Sequence, residues 1–179
     1  MKRIYLIRHC QASGQEPDAP LTATGQDQAV QLASFLEPLE IERIVSSTFL
    51  RACQTIEPFA RRNDLSIETD SRLTERVLSS VPLDDWLTHL SQSFDDLDLC
   101  LEGGESNRTA MQRGAAAIRD ILAHHTEATA VVTHGGLMTL LLKHFDDRYG
   151  FAEWKALTNP DVYVLRFSSD ATQIERMWG

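Results

Sequence analysis

An arginine and a histidine stand side by side at positions 8 and 9, directly after the apolar run Ile4-Tyr5-Leu6-Ile7. Histidine is the side chain most readily made a nucleophile or proton carrier near neutral pH, and arginine offers a planar fork of donors suited to phosphate or carboxylate oxygens. Two other stretches carry matching types: Ser46-Ser47-Thr48-Phe49-Leu50-Arg51, and Thr133-His134-Gly135-Gly136. Paired glycines ahead of an apolar helix let backbone N–H groups come close to a ligand. Each stretch also has an ordinary reading: a surface turn for Arg8-His9, a surface arginine for Arg51, a satisfied core histidine for His134. Chemistry needs the three to meet, and the elements that carry them decide that.

Those elements are legible from periodicity. Residues 3 to 8, Ile41 to Ser46, Ala128 to Thr133 and Val162 to Phe167 read as core strands, with Leu65 to Thr69 a half-buried edge. Gly25 to Leu36, Thr48 to Arg62 and Ser106 to His124 repeat apolar residues at helical spacing, and Leu137 to Leu142 is a further apolar helix. Strands alternating with helices of this length predict an α/β fold in three layers, a mostly parallel central sheet with helices on both faces. Such sheets bind ligands outside the carboxyl ends of their strands, so the three reactive stretches are predicted to share one rim. Arg51 is placed about one turn into its helix, where the helix start adds partial positive charge toward an anion.

A chain of 179 residues suits one domain, 1–179, with a substantial core. The segment Ser71 to Gly104 has the least regular pattern, with Pro82, an acidic set and one helix near Asp84 to Phe94. It is read as a cap inserted over the strand ends, with a solvated excursion as the other reading. The formal net charge of −9 argues against a general binder of nucleic acid or anionic membranes, so any anion site must gather positive charge locally. The early apolar run is too short for a secretion signal, and Cys10, Cys53 and Cys100 form no C-x-x-C pair, so a reducing cytoplasmic location is expected. Phosphate-loop, dinucleotide and His-Glu-x-x-His zinc patterns are absent. His124-His125 read as helix-end residues and no metal site is assigned; Asn107-Arg108-Thr109 matches a glycosylation acceptor by chance.

Five motifs then occur in a telling order: Leu6-Ile7-Arg8-His9-Cys10, Pro20-Leu21-Thr22-Ala23-Thr24-Gly25, Ser46-Ser47 with Arg51-Ala52-Cys53-Gln54-Thr55, Gly103-Gly104-Glu105-Ser106, and Val132-Thr133-His134-Gly135-Gly136. Together they resemble the histidine phosphatase superfamily, which includes cofactor-dependent phosphoglycerate mutases, and they cover nearly the whole chain. The resemblance implies a phosphoglycerate mutase-like fold, with His9 as the histidine that becomes phosphorylated and Arg8, Arg51 and His134 holding phosphoryl oxygens. It implies Glu75, in Arg72-Leu73-Thr74-Glu75-Arg76, as the acid that protonates the leaving oxygen, with Glu105 as its rival. Gly135 and Arg76 are candidate substrate contacts, Arg76 for a second anionic group. No cofactor is required.

The physical chemistry agrees. A phosphate monoester dianion repels nucleophiles, so its transfer needs fixed positive donors around the equatorial oxygens and an attacker in line with the leaving group. Two arginines supply donors and keep a nearby imidazole neutral, provided its other nitrogen meets a hydrogen-bond acceptor. An acid that must deliver a proton implies an acidic to neutral optimum. Cys10 stands where the superfamily usually has glycine, and Gln11 where it often has glutamate. A cysteine-phosphatase reading of Cys10 fails, because the sixth residue after it is Glu16 and not arginine.

Water or a second substrate oxygen could accept the phosphoryl group, giving a phosphatase or a mutase. The loop Gln11 to Ala19 lacks the Trp-Asn element typical of the mutase branch, and the segment 71–104 offers only Arg72 and Arg76 as cations. The expectation is a phosphatase acting on a small phosphorylated metabolite, neither a nucleic-acid nor a membrane protein, with the oligomeric state open. Mutase-type transfer is the alternative, and a non-catalytic phosphometabolite sensor is a second alternative of another class.

Overall fold

The computed structural model describes residues 1–179. Six strands form one sheet in the order β3-β2-β4-β1-β5-β6: β1 Lys2–Arg8, β2 Arg43–Ser46, β3 Ile67–Thr69, β4 Ala128–Thr133, β5 Asp161–Phe167 and β6 Thr172–Arg176. The pairings among β3, β2, β4 and β1 are parallel, and those of β5 with β1 and β6 are antiparallel. The sheet is therefore mixed, parallel over its central strands. The helices are α1 Ala23–Leu36, α2 Leu50–Arg62, α3 Trp86–Asp95, α4 Asn107–Ala123, α5 Gly135–Phe145 and α6 Phe151–Ala156.

Strand alternation sorts the core into two layers. Tyr5, Ile7, Ala130, Val132, Val162 and Val164 face α1 and α2, while Ile4, Leu6, Val131, Tyr163 and Leu165 face α4 and α5. Because successive side chains point to opposite faces, each central strand serves both layers and carries apolar residues on both faces. β4 is buried at all of its positions, Ala128 to Thr133.

Two elements escaped the periodicity. β6 carries one apolar residue, Ile174, between polar neighbours on the sheet edge, and α6 is too short to repeat a helical stripe. The helix at residues 50–62 also begins later than its pattern suggested, after Phe49, which puts Arg51 in its first turn.

Candidate active site

Register fixes the rim. Arg8 of β1 lies beside Thr133 of β4, and Ser46 of β2 beside Val132. Three parallel strands therefore stop within about one residue of each other, and the residues that follow them, His9, Ser47 and His134, are delivered to one place. All three are buried.

His9 is held by its flanks. Its Nδ1 lies 2.7 Å from the Cys10 carbonyl, so that nitrogen carries the proton and Nε2 keeps its lone pair. Arg51 Nε donates to His9 Nε2 at 3.3 Å. Burial pulls the His9 pKa down to about 3, helped by His134 and then by Arg51 and Arg8, while the Cys10 contact opposes the shift. The expectation of a neutral imidazole tied at its far nitrogen matches this geometry, although desolvation contributes more than the arginine charges. The turn after His9 is itself pinned: the Cys10 N–H donates to Thr55 Oγ1, Leu21 N–H to Gln54 Oε1, and Asn159 Nδ2 to the His9 carbonyl. Thr22 caps α1, and a Cβ on Gly25 would lie 2.0 Å from the Gln11 carbonyl. That glycine lets α1 start hard against the loop that carries His9.

The other donors converge on the same spot. His134 lies with its ring centroid 5.0 Å from that of His9, and its Nε2 is 2.8 Å from Ser47 Oγ. Burial, followed by the charges of Arg51, Arg113 and Arg8, holds its pKa well below the ordinary value. Arg8 reaches across Gly135: a Cβ there would lie 2.9 Å from Arg8 Nε. Arg51 is buried and fixed by the carbonyls of Gln15 and Glu16. Burial lowers the pKa values of Arg8, Arg51 and Arg76 while Glu75 opposes, as expected of desolvated cations that stay charged.

Glu75 faces this cluster. Its carboxylate accepts from the backbone N–H groups of Arg76, Gly136 and Leu137, so it sits on the N-terminus of α5. Arg76 is buried beside it, and no protein group accepts from its Nε. Both line a cavity of about 330 Å³ with Gln15, Pro17, Phe49, Arg51 and residues 77 to 79. A larger hollow of about 460 Å³ lies against Glu57 and Arg61, which are already paired, and its lining contains no histidine. Three of the five buried polar atoms without a protein partner, Arg8 Nε, Arg76 Nε and His134 Nδ1, belong to the rim around His9. Such a cluster is rich in donors and suited to an oxyanion.

A sequence model of the histidine phosphatase superfamily, branch 1, matches residues 4–178. The chain belongs to that superfamily. A probable phosphoglycerate mutase of Salmonella choleraesuis is 30% identical over 139 residues, 68% of this chain and 64% of that relative. One of Shigella dysenteriae is 37% identical over 82 residues, 42% of this chain and 38% of the relative. The matched segments thus span less than two thirds of these relatives. Among solved structures, mycobacterial glucosyl-3-phosphoglycerate phosphatase in complex with inorganic phosphate is 25% identical, with a TM-score of 0.80, covering 99% of this chain and 97% of that one. A phosphoserine phosphatase from Entamoeba histolytica shares the fold at 18% identity and a TM-score of 0.78, covering 98% and 96%.

The departures from the superfamily pattern have local structural explanations. Burial pushes the Cys10 thiol up to about 12, so it is a small packed residue and no thiolate nucleophile. Gln11 closes the loop through Thr22. Glu105 pairs with Arg113 and leaves the cavity lining to Glu75. Arg72 is engaged by Asp70 and Asp120, so Arg76 is the cation of segment 71–104 that lines the cavity. Asn107 is buried and donates to Ser93, which makes the apparent glycosylation site a structural asparagine. Sequence reasoning missed the supporting cast: Ser47 as the partner of His134, Gln54 and Thr55 as anchors, Asn159 and Arg113. Gln54 and Thr55 stood in a quoted motif, but their targets are backbone groups remote in sequence, which no spacing reveals.

No helix is long and apolar enough to cross a membrane.

Proposed function

We propose that the protein is a phosphatase that hydrolyses a small phosphomonoester bearing a second anionic group, through a phosphohistidine on His9. The observation that carries this reading is the Nδ1 contact with the Cys10 carbonyl, which leaves Nε2 as a nucleophile among Arg8, Arg51 and His134. In the first step Nε2 bonds to phosphorus while the ester oxygen departs with a proton from Glu75. Arg8, Arg51, His134 and the start of α5 at Gly135 hold the equatorial oxygens as charge develops. A dianion against that helix start competes for the N–H groups that Glu75 accepts from. In the second step Glu75, now a carboxylate, takes a proton from water as the water oxygen attacks phosphorus, and His9 is released. No cofactor or metal enters.

Arg76, buried without a partner in the cavity lining, is the group for a second anion. Glucosyl-3-phosphoglycerate and phosphoglycerate, after which similar proteins are named, each carry a carboxylate beside the phosphate, which supports a phosphorylated acid. Segment 71–104 is proposed as a cap on a single domain, since residues 75 to 79 line the cavity. The names of the mutase relatives favour phosphoryl transfer as the second reading. One cavity-lining cation from the cap and an apolar wall of Pro17, Phe49, Val77 and Leu78 suit a monophosphate better than a bisphosphate.

A phosphate-release panel of phosphorylated acids, sugar phosphates and nucleoside monophosphates tests this, run beside a mutase assay primed with a bisphosphate. Release should exceed transfer, and an acid-labile, alkali-stable phosphoryl group should form on the wild type and be absent from His9→Ala. Loss of the nucleophile should lower turnover roughly a million-fold. Transfer exceeding release would favour the mutase, and binding without turnover would favour a sensor.

A further inference from the structure

The segment that carries Glu75 has no regular structure from Thr74 to Ser79, so its backbone carbonyls must find partners elsewhere. One side chain of α4 supplies two of them and a third just upstream. Arg113 Nη1 donates to the carbonyls of Arg72 and Thr74, both at 2.8 Å, and Nη2 to the carbonyl of Glu75 at 3.3 Å. Its remaining donors go to Glu105, with Nε on Oε2 and Nη2 on Oε1. Glu105 in turn holds the far side of the segment, its backbone N–H donating to the Val77 carbonyl at 2.9 Å. Thr133 Oγ1 on the Leu73 carbonyl completes the set. Neither Arg113 nor Glu105 is among the residues lining the cavity.

We infer that Arg113 and Glu105 form a positioning pair for the proton donor: they fix the backbone at Glu75 so that its carboxyl meets the leaving oxygen in line with His9. This rests on Glu75 being the acid of the proposed reaction. The guanidinium fork is the only side chain that can serve three carbonyls and a carboxylate at once, which a lysine cannot reproduce. Glu105 neutralises Arg113 and spares the region near His134 an extra bare cation. Without the pair, Glu75 would still sit on the N-terminus of α5, but its main chain would be free to shift. The rest of the site, built on strand ends, would stay in place.

That separation makes the role measurable. Proton donation matters for an alkyl ester and little for 2,4-dinitrophenyl phosphate, whose leaving group departs unprotonated. Arg113→Met is expected to lower kcat on an alkyl monophosphate by up to about 100-fold, the scale of a one-ångström misplacement, with KM little changed. Turnover of 2,4-dinitrophenyl phosphate should stay close to wild type. Arg113→Lys and Glu105→Gln should show the same preference for the activated ester at smaller amplitude, and they carry the test should Arg113→Met fail to fold. In a Glu75→Gln background, Arg113→Lys should add no further loss on the alkyl ester, because the pair acts only through the missing carboxyl. Equal losses on both esters, or additive losses in that background, would overturn the inference and leave Arg113 a fold-stabilising residue. Should Glu75→Gln itself slow both esters alike, the acid assignment falls and this role with it. If Glu75→Gln discriminates while the Arg113 variants do not, only the positioning role falls.

Discussion

Two halves of the site are built by different means. The half around His9 rests on the aligned ends of β1, β2 and β4, with register setting the distances and helix starts supplying donors. The half that carries Glu75 and Arg76 is irregular chain between β3 and α3, held by side-chain donors to its carbonyls. A strand end can hardly move without disturbing both core layers, whereas the irregular segment depends on a few hydrogen bonds from neighbouring residues. In the proposed reaction, the phosphoryl chemistry common to any monoester belongs to the rigid half. The same proposal gives the choice of leaving group to the other half.

The sharpest way to break this contrast is a substitution on each side. Arg51→Ala removes a buried donor that touches His9, and turnover should fall on the order of 100-fold to 1,000-fold for every ester alike. Steady-state kinetics on phosphate monoesters of a carboxylate-bearing and an uncharged alcohol check this. A loss confined to one of them would mean that Arg51 reads the leaving group, and the division of labour would be wrong.

Arg76→Met should do the opposite. A charge-assisted hydrogen bond to a substrate carboxylate contributes about 1.5–3 kcal/mol, so kcat/KM should fall roughly 10-fold to 150-fold for a phosphorylated acid and little for an alkyl phosphate without a second anionic group. Because Arg76 Nε is buried without a protein partner, an apolar side chain of similar length should also raise the melting temperature. Higher stability with lost discrimination would mark Arg76 as a residue kept for its ligand. Equal losses on both esters would assign it to the phosphoryl group instead.

The same contrast explains what the sequence disclosed. Ile4 to Ile7 and Ala128 to Thr133 are apolar runs ending in reactive residues, and a parallel sheet leaves such ends one rim to share. Arg8, His9, Arg51 and His134 were legible for that reason. Glu75 could be named only by resemblance, since a glutamate in irregular chain has no periodicity to place it. Both Glu75 and Glu105 lie in short polar stretches, and it takes coordinates to see that Glu105 pairs with Arg113 while Glu75 lines the cavity. β6 and α6 were invisible because Ile174 is a lone apolar residue and Phe151 to Ala156 is under two turns.

The rigid half also bears an acid-dependent cost that the other half does not share. Burial holds His9 near 3, below the roughly 6.5 of an exposed imidazole. Between those values the unfolded chain binds a proton at His9 that the folded protein refuses, so unfolding is favoured progressively as pH falls from about 6.5 toward 3. His134 shifts in the same direction and acts with the same sign. Above pH 7 neither histidine is protonated in either state, and this contribution vanishes. His9→Gln removes one of the two titrating bases, so denaturant midpoints measured between pH 7 and pH 4 should decline less steeply for the variant than for the wild type. Parallel declines would mean that His9 takes up its proton in the folded state at an ordinary pH. A protonated Nε2 has no lone pair to offer phosphorus, so that outcome would restrict the nucleophile to neutral and alkaline conditions and turn the expected acidic to neutral optimum into an alkaline one.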